Sequence, residues 1–186
     1  MKRFSYRKLN IKDLLEIKYL PISDERGFLS RIFCIDEINK FSTFKDIKQI
    51  NRTFTNKKGA IRGLHFQYPP ASESKIIICT KGEIFDVAID IRKNSKTYLK
   101  HVSIILNSDL NNMFLIPKGF AHGFQTLTNN VELIYIHDHA YTPNLESGLN
   151  PFDPLLKIDW PLENYTISKK DLTSKLINQN EFQGLN

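Results

Sequence analysis

Between residues 28 and 137 turn-forming residues cut the chain into short apolar pieces of similar length, and no stretch sustains the long 3.6-residue periodicity of a packed helix. Strand-like runs rich in Ile, Val, Phe and Tyr cover Phe28 to Phe33, Lys48 to Phe54, Ala60 to Phe66, Lys75 to Lys81, Ile84 to Ile91, Leu99 to Leu106, Asn112 to Ile116, Gly123 to Leu127 and Val131 to His137. Lys58-Gly59, Lys81-Gly82, Asn107-Ser108-Asp109, Pro117-Lys118-Gly119 and Asn129-Asn130 separate them with residues that accept turn geometry. Many short strands must each hide an apolar face and avoid an open edge, which leads to a sandwich or a closed barrel. Short peripheral helices are expected where Asp36 can cap Glu37-Ile38-Asn39-Lys40-Phe41 and in the tail from Ser168 to Asn180. The expected fold class is therefore all-β, a barrel. At 186 residues and 41% apolar content the chain suits one domain over 1–186. The N-terminal segment 1–47 and the C-terminal tail 142–186 are expected to pack on the barrel.

Composition narrows the function classes. No run reaches the roughly 20 apolar residues that span a bilayer, and Met1-Lys2-Arg3-Phe4-Ser5-Tyr6-Arg7 lacks the apolar stretch of a signal peptide, so a cytoplasmic protein off the membrane is expected. Cys34 and Cys79 lack metal or disulfide spacing and read as buried thiols. The net charge of +6 comes from Lys and Arg scattered along the chain, which argues against nucleic acid and suits an anionic small molecule such as a diphosphate.

Histidines carry the first chemical signal. In Leu115-Ile116-Pro117-Lys118-Gly119-Phe120-Ala121-His122-Gly123-Phe124 an apolar strand ends in a Pro-x-Gly turn and the next strand opens on His122. This spacing resembles the second motif of the cupin β-barrel (jelly roll) superfamily, whose histidine points into the barrel; a hairpin with a packed histidine is the plainer alternative. Metal-binding cupins also need an upstream His-x-His pair and a Glu, whereas this chain has His65-Phe66-Gln67, so no metal is expected and the histidines are free to act as acid or base. His137-Asp138-His139 reads as a solvated loop at a strand end rather than a metal site. Arg62 suits a phosphate through its planar fork, yet it lies an odd number of residues from His65 and shares a face with it only if Gly63 introduces a bulge.

Arg62-Gly63-Leu64-His65-Phe66-Gln67, Gly82-Glu83-Ile84-Phe85-Asp86-Val87-Ala88-Ile89-Asp90-Ile91-Arg92, Ile116-Pro117-Lys118-Gly119-Phe120-Ala121-His122-Gly123-Phe124 and Ile158-Asp159-Trp160-Pro161 occur in this order. Together they resemble the dTDP-4-dehydrorhamnose 3,5-epimerase family, and the likeness runs from Asp24-Glu25-Arg26-Gly27-Phe28 to Ser168-Lys169-Lys170-Asp171. The resemblance implies a cupin without a metal or other cofactor, acting on a nucleotide-diphosphate sugar that carries a 4-keto-6-deoxyhexose, by removing and returning a proton through an enolate.

By matching position, His65 is the implied base, oriented by Asp171, and Tyr135 the implied acid on the opposite face. The same matching implies that Lys75, helped by His122, holds the enolate oxygen, that Arg62 binds the diphosphate, and that Gln49, Asn51 and Tyr141 fall at the substrate. Arg26 and Phe28 match a segment that family members lend to a neighbouring subunit, which implies a homodimer with segment exchange. Plain alternatives stand beside these roles: a core tyrosine at 135, a solvated strand start at Lys75, a helix cap at Asp171, and scaffold for Gly82 to Arg92, with Asp86 a weaker site residue than His65. Ile136 stands where rhamnose-pathway members often carry Lys, Ala140-Tyr141 replaces a tyrosine pair, and Arg31 stands where Glu is common, which leaves the nucleotide base open. Asn150-Pro151-Phe152-Asp153-Pro154 looks more like relatives that make other deoxysugars. The alternatives are thus an epimerase of C3 or C5 alone and a non-catalytic cupin that binds a nucleotide sugar. A metal-dependent cupin oxygenase is disfavoured by its missing ligands.

Overall fold

The computed structural model describes residues 3–178 and 180–185. Its elements in chain order are β1 (Phe4–Lys8), β2 (Leu15–Tyr19), β3 (Ile22–Asp24), β4 (Gly27–Leu29), α1 (Ile35–Ile38), β5 (Gln49–Thr55), β6 (Ala60–Gln67), β7 (Lys75–Lys81) and β8 (Glu83–Asp90). They continue with β9 (His101–Asn107), β10 (Asn112–Ile116), β11 (Phe120–Thr126), β12 (Val131–His137), β13 (Glu146–Gly148), β14 (Thr166–Ile167) and α2 (Lys169–Leu172). One sheet runs β1-β2-β10-β7-β12-β5, and a second runs β13-β6-β11-β8-β9 with β14 added to β6. Ladders are antiparallel except for β14 on β6, and β3 pairs only with β4 in a separate hairpin. The two sheets face each other as the halves of a jelly-roll barrel.

Strands β7 and β8 explain why the sequence there is apolar without a break. Ile77 and Cys79 of β7 and Ile84 and Ala88 of β8 point into the barrel, where they meet Phe114, Phe120, Phe124 and Leu133. Ile76 and Ile78 point out of the barrel and are covered by Phe4, Ile17, Ile38 and Phe44 of the N-terminal segment. Val87 and Ile89 point out through the other sheet and are covered by Leu149, Leu156 and Leu185 of the tail. A strand with both faces covered needs no polar alternation. Both terminal segments therefore complete the core, and each buried Leu, Ile or Phe contributes about 1.5–3 kcal/mol.

Strands β7, β10 and β12 keep the bounds expected from sequence. The expected strand Phe28 to Phe33 is reduced to Gly27–Leu29. From Ser30 the chain leaves the hairpin, and Ile32, Phe33 and Cys34 lie against the outer core instead of pairing, so Cys34 is half-buried and outside any strand. The turn before β9 is held by Leu99 at φ 61, which delays that strand to His101, while β11 begins already at Phe120. Asp36 does not cap α1: the cap position is Cys34, and Asp36 sits inside the first turn. The expected tail helix is one turn, capped by the Ser168 hydroxyl, which accepts from the Asp171 N–H. Asn150 donates to the Leu172 and Ser174 carbonyls and closes it; residue 179 of the expected stretch lies outside the described residues. Among the described residues no helix is long and apolar enough to cross a membrane.

Candidate active site

Residues of both sheets line a cleft of about 920 Å³. One wall follows from register. On β12, Tyr135 lies opposite Asn51 of β5, and His137 lies between Gln49 of β5 and Lys75 of β7, so residues two apart on each strand face the same space. The facing wall comes from β6 and β11. His65 pairs with His122, and Arg62 pairs with Phe124, so three steps on β6 match two on β11. This bulge places Arg62 and His65 on one face despite their odd separation. It occurs at Gly63, whose φ is +123° and where an added Cβ would lie 2.5 Å from the Gly123 Cα. Only glycine meets both conditions.

The cleft brings together Gln49, Asn51, Arg62, His65, Lys75, His122, Tyr135, Tyr141 and Asp171. Arg26 and Phe28 lie outside it, on the β3–β4 hairpin, where Phe28 is 75% exposed and Arg26 pairs with Asp24.

His65 carries the clearest chemistry. Its Nε2 lies 2.8 Å from Asp171 Oδ1, and the other carboxylate oxygen accepts the Gly63 N–H at 3.2 Å. Burial alone would raise Asp171; the hydrogen bond and charge of His65 and the Gly63 N–H outweigh it and hold the carboxyl below its usual range. An ionised carboxylate accepts the Nε2 proton, so the lone pair rests on His65 Nδ1, in a ring that solvent reaches. Asp171 thus orients His65 rather than capping α2.

Across the cleft, Tyr135 is half-buried, and burial followed by the nearby Asp86 carboxylate raises its phenol, so it holds its proton at neutral pH. Lys75 is 5% exposed rather than solvated; its Nζ pairs with Glu73 Oε1 at 2.8 Å. Burial would raise Glu73, but Lys75 and Gln67 pull it below the usual carboxylate range. Gln67 donates to Glu73 Oε2 at 2.6 Å and accepts the Thr142 N–H at 2.6 Å, tying the lead-in of β7 to the segment after β12. His122 Nε2 meets Asp86 Oδ1 at 2.6 Å, and burial pushes Asp86 up against the pull of His122 and Lys75. Asp86 reads as scaffold in the sequence; the fold makes it the buried partner of a second His–Asp pair.

At the rim, the Tyr141 hydroxyl donates to Glu146 Oε2 at 3.0 Å, which also receives Lys170 Nζ at 2.6 Å. The Tyr141 N–H donates to Gln49, which donates to Asn51. Glu73, Glu146 and Lys170 join the cleft without a motif of their own, and His137 joins it from the His-x-His at the end of β12. The expected solvated loop at 137–139 is overturned. His137 ends β12, Asp138 is 5% exposed and accepts the Ser74 N–H at 2.7 Å, and the half-buried His139 bonds the Ala140 carbonyl. Among the described residues no three His, Cys, Asp or Glu side chains gather as metal ligands.

A dyad of base and carboxylate, a protonated phenol on the opposite wall and a buried cation in the same cleft can take a proton from carbon on one face and return one to the other. Known proteins share this fold and much of this sequence. The family model for dTDP-4-dehydrorhamnose 3,5-epimerase matches residues 8–179. The enzyme of that name from Shigella flexneri is 34% identical over 90% of this chain and 93% of its own. The epimerase from Legionella pneumophila, solved with dTDP-4-keto-L-rhamnose, superposes with a TM-score of 0.92 at 34% identity, covering 98% of both chains. The Bacillus anthracis enzyme, solved with TDP and PPi, does so with 0.90 at 32% identity, covering 94% of this chain and 99% of its own. This chain belongs to the dTDP-4-dehydrorhamnose 3,5-epimerase family.

Proposed function

We propose that this chain inverts C3 and C5 of a nucleotide-linked 4-keto-6-deoxyhexose. The observation that carries the reading is the His65–Asp171 pair on one wall facing Tyr135 on the other, with Lys75 and His122 in the same cleft. His65 Nδ1 takes the proton from the carbon next to the carbonyl, and the C–H electrons move onto the carbonyl oxygen. Lys75 and His122 hold the enolate oxygen that forms. Glu73 fixes the Lys75 ammonium in place before reaction, and a buried cation already in position stabilises developing charge better than water that must reorganise. Tyr135 returns a proton to the opposite face and is reprotonated from solvent, as His65 releases its own, so the cycle leaves no net charge. The same groups act at the second carbon. The reaction draws on side chains alone and needs no cofactor.

Arg62, at the mouth, pairs with the diphosphate, and Gln49, Asn51 and Tyr141 contact the nucleotide end. The bound dTDP-sugar of the Legionella relative supports a substrate of this class. Phe28 and Leu29, 75% and 71% exposed on a hairpin that no sheet covers, complete the site of a second copy in a homodimer. The enzyme works in the cytoplasm, where nucleotide sugars are made. Sedimentation tests the dimer: Phe28→Asp is expected to weaken association, and an unaltered monomer in the wild type removes that part of the reading.

Incubation with dTDP-4-keto-6-deoxyglucose in deuterium oxide, followed by NMR, tests the activity. Deuterium at C3 and C5 with inversion is expected. Label at a single carbon makes the chain a one-carbon epimerase, and no label with any nucleotide base refutes the proposal.

A further inference from the structure

His137 lines the cleft, and the proposed reaction gives it no work. Its position is set by register: it lies opposite Lys75 on one neighbouring strand and opposite Gln49 on the other, two residues along β12 from Tyr135. Its ring runs nearly parallel to that of Tyr135, at 8° with centroids 6.0 Å apart, and it lines the same cleft. Its Nε2 is sealed from solvent and has no hydrogen-bond partner.

A neutral imidazole carries one N–H and one lone pair, and an orphaned N–H costs more than an orphaned acceptor. The tautomer that fits has the lone pair on the sealed Nε2 and the hydrogen on Nδ1. Lys75 and His137 are paired across β7 and β12 and line the same cleft, so the ammonium and the Nδ1–H are two donors, one charged and one neutral, offered to the same space. Such a pair matches two neighbouring oxygens of unequal charge, the carbonyl oxygen that becomes an enolate and an uncharged hydroxyl.

We propose that His137 is a specificity-determining residue that donates a hydrogen bond from Nδ1 to a ring hydroxyl of the sugar, beside the carbonyl oxygen held by Lys75. The proposal rests on the epimerase reading above. The sugar is then selected by its hydroxyl pattern as well as by its nucleotide, since a site built to bond a hydroxyl is left with an unpaired donor when that hydroxyl is missing.

Three variants and three sugars test it. His137→Phe keeps a ring against Tyr135 and removes both nitrogens, His137→Asn places an amide nitrogen where Nδ1 stands, and His137→Ala removes the ring. Exchange rates in deuterium oxide are measured with the 4-keto-6-deoxy sugar and with its 2-deoxy and 3-deoxy analogues, after circular dichroism has matched the folds. His137→Phe is expected to lower kcat/KM about ten-fold or more on the full sugar, and His137→Asn to recover most of it. On the analogue that lacks the bonded hydroxyl, wild type and His137→Phe are expected to be equal. A Phe variant as active as wild type on the full sugar overturns the proposal. So does a loss that is the same on all three sugars, which makes the ring a mere support for Tyr135. Absence of exchange by the wild type on every sugar fails the epimerase reading first and this proposal with it.

Discussion

The His137 ring also gives the fold a measurable weakness toward acid. Burial, followed by the neighbouring Lys75 ammonium, pushes its pKa down from 6.5 to about 4; Glu73 pulls the other way and His122 adds to the depression. Tyr135, the remaining titratable neighbour on its own strand, stays neutral in this range. An unfolded chain takes up a proton at this position near pH 6.5, and the folded chain resists until about pH 4. Stability linked to His137 is therefore complete above about pH 6.5, falls as the pH drops through that window, and stays at its reduced level below pH 4. At about 1.4 kcal/mol per tenfold change in proton affinity the ceiling is about 3 kcal/mol. The ring is only half-buried in an open cleft, and screening by cleft water brings the expected effect to about 1–2 kcal/mol. Urea unfolding of wild type and His137→Phe at pH 7.5 and pH 4.5 reads it directly. The wild type is expected to lose about 1–2 kcal/mol more than the variant between the two conditions. Parallel losses refute the desolvation argument, and a larger loss in the variant means that the ring is protonated and bound to Glu73 in the folded protein.

Asp171→Asn removes the carboxylate that orients His65, and is expected to lower deuterium exchange by about 10²-fold or more with circular dichroism unchanged; near-normal exchange removes Asp171 from the dyad. Gly63→Ala drives a methyl group to within 2.7 Å of the His122 carbonyl at φ +123°, and is expected to lower the melting temperature and abolish exchange together, because the bulge that aligns Arg62 with His65 cannot form. A variant that melts and turns over like wild type refutes that role. Burial pushes the Cys79 thiol up to about 12, while Cys34 is half-buried, so a thiol reagent at pH 8 is expected to label Cys34 first and Cys79 only on unfolding, as read by mass spectrometry.

What the sequence discloses and what it hides divide along one physical line. Strands whose apolar residues are contiguous or sit between strong turns, such as Lys75–Lys81 and Val131–His137, are readable locally because turn chemistry fixes both ends. Phe4–Lys8 and Leu15–Tyr19 are not, since each is five residues long and carries charges whose sense is a cross-strand pair, Arg7 with Glu16. The site divides in the same way. His65, His122 and Asp171 stand in motifs, and Lys75 and Tyr135 follow from matching positions. Asp86 owes its role to His122, 36 residues away in the chain, and Glu73 owes its place to Gln67 and Lys75 together. The odd spacing of Arg62 and His65 shows the limit most sharply: the sequence states the conflict and even names Gly63 as its remedy, but only the pairing of β6 with β11 supplies the extra residue that resolves it. The surroundings of His137 lie beyond that limit, although its place at the end of a strand does not. Within His137-Asp138-His139 it has the composition of a loop, and its place beside Lys75 exists only once β12 has been laid against β7 in one register; a slip of one residue would turn both Tyr135 and His137 out of the cleft. The ladder that buries the core is thus the same object that aligns the acid, the cation and the proposed sugar-reading ring, and substitutions that loosen it are expected to cost activity before they cost the fold.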